Sequence, residues 1–461
     1  MPRWIPSGAR EESALLQELG ISNTEALFSD VPKKVRVGRM GVGPSHAEME
    51  VVAAVDKILE RNRPLSKFAS FLGGRLAVRY VPAAVDAMLS RSEFYTSYTP
   101  YQPEASQGML QTLFEFQSLW AELSGMDVAN ASLYDGATSL GEAALLCKRL
   151  HDGDRFLIPA SLPWEEKSVL ANYLSGTRAR IEEIPFDPRT GRLDLNSVRE
   201  LVSRPDVFGL LADLPNGYGV VDEGLLELKS ILGQIPLAVS ADPLALTVLE
   251  PPGSWGADVV VGEGQPFGIP PAGGGPLLGL FACRKEHVRM APGRIVGMTQ
   301  DSEGRRAFAL TLQTREQHIR RSRATSNICT NQSLLALAFV SYATFVGPRG
   351  LADLQRALAE RARTLATALG TVDGLEAPKF DAPYLSDFTV GLKNGTVGEF
   401  LDRLRRKRIL GGAPLADPRP GHPSSAGEWF LTSVHEFTTE KDIQKFVRAA
   451  RSSVTKGPVP Q

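Results

Sequence analysis

Short apolar runs alternate with amphipathic stretches along most of the chain. Arg155–Pro159, Val207–Ala212, Pro236–Ser240 and Ala257–Gly262 are apolar segments of strand length, Arg180–Ile184 is a further strand of mixed polarity, and Trp164–Gly176, Leu195–Ser203 and Gly224–Leu232 between them carry helical spacing. Brief buried strands separated by helices predict a mainly parallel α/β sheet. In such sheets ligands gather at the carboxyl ends of the strands. That rule puts Asp213, Asn216, Asp242 and the turn Gly262–Gln265 at the expected edge of a site. A second, shorter α/β pattern follows: helix Leu351–Leu369, strand Asp387–Leu392, helix Val397–Lys407, strand Trp429–Val434 and helix Thr439–Ala450. Ahead of the sheet lie helices Glu11–Leu19 and His46–Arg61, the latter with Met49, Val52, Val55 and Leu59 on one face. The expected organisation is an N-terminal helical arm over 1–65, a large domain over 66–347 and a small C-terminal α/β domain over 348–461.

The stretch from Glu93 to Glu142 breaks the pattern. Tyr95, Tyr98 and Tyr101 are interleaved with Thr96, Thr99, Gln102, Glu104 and Gln107, and Pro100 and Pro103 forbid a helix through them. This predicts a shaped loop with aromatic and hydrogen-bonding side chains. A helix then runs from near Gly108 to Gly125. Asp135–Ser139, with Thr138 among small residues, precedes the helical run Leu140–Leu146. Free N–H groups at such a helix start can hold a phosphate. Asp242, after a strand, either caps the next segment or holds a charged group of a ligand. The glycines of Gly262–Gly268 and Gly273–Gly275 allow close approach of backbone. Arg315, His318, Arg320, Arg321 and Arg323 form a basic run before Thr325–Asn327. It is either a solvated helix end with an N-cap for the apolar helix through Phe345, or an anion or subunit contact.

Composition narrows the classes. A chain of 461 residues has room for two or three domains, and its net charge of −1 argues against nucleic acid or an anionic membrane as partner. No apolar run approaches the roughly 18–20 residues that span a bilayer. The N-terminal segment lacks a signal-peptide core. Cys147, Cys283 and Cys329 are spaced for neither a disulfide framework nor a metal. A cytoplasmic protein with no metal is expected.

Aromatic loop, phosphate loop, strand-end aspartate, then strand and turn is the order found in fold-type I pyridoxal-phosphate enzymes. There a carboxylate keeps the ring nitrogen protonated, a helix start holds the phosphate and a lysine holds the cofactor as a Schiff base. On this alignment Thr138 and Asp242 fall at the phosphate and ring positions. The lysine's turn carries Gln265, and no lysine lies between Lys229 and Lys285. The usual covalent attachment is therefore ruled out here.

Thr99–Gly108, Asn130–Thr138, Gly262–Pro270 with Gly273–Pro276, Pro292–Gly297 and Thr314–Gln332 together resemble the α subunit of the glycine cleavage system P-protein, over nearly the whole chain. The resemblance implies a fold-type I large domain, a small C-terminal α/β domain and an N-terminal arm. It implies glycine dehydrogenase (decarboxylating) activity shared with a related β subunit that carries the cofactor lysine in a His-Lys-Thr-Phe turn. Gly264–Phe267 is similar to that turn, with Gln265 in the lysine's place. Pyridoxal 5'-phosphate is then expected covalently on the partner and not on this chain, in a heterotetramer. Glycine and the lipoyl arm of the H-protein are the expected reactants. Thr138, Asp242 and Gln265 become a degenerate cofactor pocket with no catalytic residue. Tyr95, Tyr98, Tyr101, Gln102, Glu104 and Gln107 become a channel wall or subunit seam. The chain departs from the family where Gly73–Tyr80 (GGRLAVRY) stands for a Gly-Ala-Gly run followed by Tyr and His, and where Val434-His435-Glu436 stands for Val-Thr-Glu. Those departures leave open a scaffold or regulatory paralogue without turnover.

Overall fold

The computed structural model describes residues 8–38, 41–95, 98–315, 317–417 and 427–454; Thr96 of the aromatic loop lies outside them. Two compact units emerge, Met1–Arg63 and Pro64–Gln461. The first holds helices α1 (Ala9–Glu18) and α2 (Glu48–Leu59), and neither buries a residue. On α2, Met49, Val52, Val55, Ile58 and Leu59 are all exposed.

The second unit is built on a seven-stranded sheet. A short strand β1 (Ala69–Ser70) precedes it. In chain order its strands are β2 (Val128–Ala129), β3 (Arg155–Pro159), β4 (Arg180–Ile184), β5 (Val207–Leu214), β6 (Leu237–Ala241), β7 (Val259–Glu263) and β8 (Gly279–Cys283). Their spatial order is β2-β8-β7-β6-β5-β3-β4. Pairs among β3 to β7 are parallel, while β8 runs antiparallel to both β7 and β2. Every residue of β5, β6 and β7 is buried, as strands covered on both faces must be. The strand period of two sorts the core. Phe156 and Ile158 join the cluster under helices Gly136–Leu150 and Trp164–Leu174. Leu157, Leu210 and Val239 join the cluster under Gln107–Ser124 and Ser333–Gly370.

Ile295–Gln300 (β9) and Arg306–Thr311 (β10) form an antiparallel hairpin that the hydrophobic pattern did not predict. Phe308 of β10 meets Phe114 at 5.3 Å between ring centroids, seating the hairpin on Gln107–Ser124. The apolar helix begins at Ser333, so Thr325–Asn327 lie ahead of it and do not cap it. By composition alone Ser333–Gly370 is long and apolar enough to cross a bilayer. It is broken at Gly347 (φ 72°), followed by Pro348, and residues from Ala336 to Leu369 are packed into the core. A four-stranded antiparallel sheet completes the unit, from β11 (Leu375–Glu376), β12 (Asp387–Leu392), β14 (Ala413–Pro414) and β15 (Trp429–Ser433) in the order β11-β12-β15-β14. Strand β13 (Ile409–Leu410) instead pairs with β1. That pairing launches residues 71–80 between the two sheets. Phe71 accepts from the Ser433 N–H at 2.9 Å. At Gly73 a side chain would fall 2.1 Å from Ser433 Cβ, so only glycine fits there.

Candidate functional site

The carboxyl ends of β5, β6 and β7 and the start of the Gly136–Leu150 helix converge where a ligand is expected in such a sheet. At the end of β7, Gln265 is fully buried. Its Oε1 accepts the Ala77 N–H at 2.8 Å, and its Nε2 donates to the carbonyls of Ala77 at 3.0 Å and Ile269 at 2.5 Å. Both N–H groups of the amide and one of the two oxygen lone pairs are thus spent on backbone.

Glu263, two residues earlier, turns its carboxylate to the helix start. It accepts the N–H of Gly136 at 2.9 Å, of Gln265 at 2.9 Å and of Leu278 at 3.0 Å. Burial outweighs those three bonds and lifts its pKa to about 7. Asp135 caps the same helix, its Oδ1 accepting the Thr138 N–H at 2.7 Å. The Thr138 hydroxyl donates back to the Asp135 carbonyl at 3.0 Å. Two of the helix-start donors that could cradle a phosphate, the N–H groups of Gly136 and Thr138, therefore already serve carboxylates. Asp242, after β6, accepts the N–H groups of Leu244 at 2.7 Å and Ala245 at 3.4 Å.

Facing these strand ends is the segment that follows Gly73. Arg75 reaches Asp213 Oδ1 at 2.6 Å and clasps Glu166 through Nε at 2.8 Å and Nη2 at 3.1 Å. Glu166 and Asp213 are buried, while a quarter of the Arg75 side chain remains open. Burial raises the Asp213 carboxyl above its ordinary range, with Arg75 pulling it back and Glu166 pushing it further up. The paired carboxylates hold Arg75 protonated against the cost of burial. Arg79 is 3.7 Å from Glu436. Asp387 on β12 is lifted to about 6 by burial, opposed by the Ser433 hydroxyl and by Arg79. His435 hydrogen-bonds the Ser70 carbonyl through Nε2 at 2.9 Å, and burial depresses its pKa.

The aromatic stretch is arranged differently. Tyr95, Tyr98 and Tyr101 are 69, 77 and 51 % exposed. Gln102 and Glu104 are exposed as well. Gln107 alone is braced from both ends: its Oε1 accepts Phe308 N–H at 2.9 Å, and its Nε2 donates to the carbonyls of Phe308 at 2.9 Å and Pro103 at 2.7 Å. Of the basic run, Arg315 is buried and donates to the carbonyls of Ala291, Gly293 and Leu312, whereas His318, Arg320, Arg321 and Arg323 are exposed. Glu263 falls within the expected edge Gly262–Gln265, though its part as acceptor for the helix start was not read; Glu166, Asp387 and Arg294 were missed as site residues. These three have no local signal, because each acquires its partner only through the tertiary fold.

A family model described as "Glycine cleavage system P-protein" matches residues 2–446. The chain belongs to the glycine cleavage system P-protein family. Its relatives include a "Probable glycine dehydrogenase (decarboxylating) subunit 1" of Geobacillus kaustophilus, 41% identical over 454 residues, covering 96% of this chain and 98% of the relative. The protein of the same description from Thermoplasma volcanium is 41% identical over 439 residues, covering 95% and 98%. A crystal structure of glycine decarboxylase (P-protein) of the glycine cleavage system, in inhibitor-bound form, superposes with a TM-score of 0.89 at 34% identity, covering 98% of this chain and 100% of that one. A sphingosine-1-phosphate lyase of Burkholderia pseudomallei shares the fold at 14% identity, with a TM-score of 0.61 over 92% of this chain and 95% of that one. The P-protein fold is thus the fold-type I architecture. The residues in this chain's own cleft do not fit its cofactor. Gln265 offers no amine, and a phosphate at the helix start would have to displace the carboxylates of Asp135 and Glu263.

Proposed function

We propose that this chain is the lysine-lacking subunit of a glycine decarboxylase of the glycine cleavage system. Together with a related, lysine-bearing P-protein subunit it decarboxylates glycine and passes the aminomethyl group to the lipoyl arm of the H-protein. The near full-length likeness to subunit 1 proteins carries this reading, and Gln265 locked onto Ala77 and Ile269 supports placing the cofactor lysine on the partner. Pyridoxal phosphate supplies the electron sink for loss of the carboxyl group and is held covalently by the partner. On this side Tyr95, Tyr98, Tyr101, Gln102, Glu104 and Gln107 wall the channel or seam that leads to the partner's pocket. Thr138, Asp242 and Gln265 are the remnants of a cofactor cradle. The assembly is a cytoplasmic heterotetramer of two unlike pairs.

Glycine–bicarbonate exchange tests the reading. Activity is expected only when the chain and its partner are mixed. Exchange by this chain alone, or a cofactor absorbance band that borohydride fixes onto it, overturns the assignment. The Arg75 and Arg79 cations in the cleft favour a second reading, a scaffold or regulatory paralogue. A stable complex without exchange activity would select it.

A further inference from the structure

One buried cation lies under the exposed tyrosines. Arg294 follows Gly293, whose φ of 70° turns the chain inward, and is 4% exposed. Its Nη2 donates to the Tyr101 hydroxyl at 3.0 Å and to the Cys329 carbonyl at 2.5 Å. Its Nη1 donates to Asn331 Oδ1 at 3.1 Å, Thr99 Oγ1 at 3.3 Å and Thr330 Oγ1 at 3.4 Å. The guanidinium carbon also lies 5.2 Å from the centroid of the Tyr101 ring. A single side chain therefore grips the 99–101 loop and the 329–331 segment together.

The grip is anchored to the helix-start strand segment. The Arg294 carbonyl accepts the Ala131 N–H at 2.8 Å, and Asn130 Nδ2 donates to the Pro292 carbonyl at 3.1 Å. Asn331 Nδ2 donates to the Ala131 carbonyl at 2.9 Å, and Gln332 N–H donates to the Ser132 hydroxyl at 3.0 Å. Three loops distant in sequence are cross-braced through this one residue. Burying a guanidinium is expensive, and apolar packing would stabilise a loop as well or better. What the guanidinium supplies is a rigid planar fork that fixes several acceptors in direction, which a lysine cannot do.

We infer that Arg294 is a positioning residue for the decarboxylation. It sets the orientation of Tyr101, and with it the Tyr98–Gln102 loop, toward the partner's pocket, without touching substrate itself. This rests on the subunit reading above, in which that loop walls the route to the partner.

The test uses the full chain reconstituted with its lysine-bearing partner. Exchange kinetics, complex formation by sedimentation and thermal unfolding are measured for wild type, Arg294→Ala, Arg294→Lys, Tyr101→Phe and the Arg294→Lys/Tyr101→Phe pair. Arg294→Ala should raise the KM for glycine about tenfold with kcat changed less than about threefold, since a wall away from the reacting atoms supplies contacts made alike in the bound and transition states. Arg294→Lys should recover only part of that loss. The double variant should be no worse than Arg294→Lys alone, because both changes break the same contact. Complex formation should match wild type. Wild-type KM in a folded Arg294→Ala chain overturns the inference, as does additivity of the two conservative changes, or a loss of activity explained wholly by loss of the complex. If Arg294→Ala does not fold, normal KM in both Arg294→Lys and Tyr101→Phe overturns it instead. An inactive wild-type reconstitution overturns the subunit reading itself, which separates the two failures.

Discussion

The inside of the cleft and its rim have gone in opposite directions. Inside, Gln265, Glu263, Asp135, Arg75 and Asp213 have all turned to partners within the chain. Polar groups at the strand ends, where a ligand would be held, instead hold backbone and one another. At the rim, Tyr95, Tyr98 and Tyr101 stand open to solvent, and Arg294 and Gln107 fasten residues 99–103 from below. Large aromatic surface left open on a braced loop contributes little to folding and suits recognition. On the reading proposed above, a subunit gives up its own chemistry while keeping the surface that serves a neighbour's.

If the cleft has become core, interior substitutions should cost stability. Arg75→Ala leaves the buried carboxylates of Glu166 and Asp213 facing each other without a cation. We expect a loss of about 2–3 kcal/mol, below the usual cost of breaking a buried pair because Arg75 is partly open, read from a shifted denaturant midpoint. A midpoint like wild type would mean that water already compensates these charges. Gln265→Ala strands the Ala77 N–H and two carbonyls and should cost about 2 kcal/mol in the same assay. Gln265→Lys should gain no borohydride-fixable cofactor, because Glu263 and Asp135 still occupy the phosphate donors; a gain would show the cradle to be intact.

The pH dependence of stability gives a smaller, directional test. The folded pKa of Glu263, about 7, lies above its ordinary value of 4.5. The folded state therefore holds this proton more tightly than the unfolded chain does. Its contribution is fully present below pH 4.5 and is lost as pH rises toward about 7. Glu263→Gln should flatten thermal stability across that window; an unchanged slope would rule Glu263 out as its source. At the rim, Tyr98→Ala should change stability by no more than about 0.5 kcal/mol while raising the KM for glycine of the reconstituted pair, measured by exchange kinetics. A large loss of stability would erase the distinction between rim and cleft.

The parallel sheet was legible because its central strands are buried on both faces and read as continuous apolar runs such as Val207–Leu214. The antiparallel β8 and the β9–β10 hairpin were not. Glycines and prolines crowd the approach to β8, and β9 passes from buried to exposed along its length, which blurs a period-two signal. Of the site, Gln265 was readable because chemistry demanded a lysine at a position fixed by the strand before it. The Arg75 cluster was not, since its partners lie 91 and 138 residues away. Arg294 reads as one more cation in a turn until the fold brings Thr99, Tyr101 and Asn331 around it.

The bonds of Gln265 to Ala77 and Ile269 have a consequence for how this chain is made in a cell. A protein stabilised by a dissociable cofactor is folded in proportion to how much of that molecule is supplied. Here the contacts at that strand end are made by Gln265, which belongs to the chain and cannot be diluted. On the subunit reading proposed above, fresh chains reach their final form through a shortage of vitamin B6 and wait, intact, for a neighbour that has been loaded.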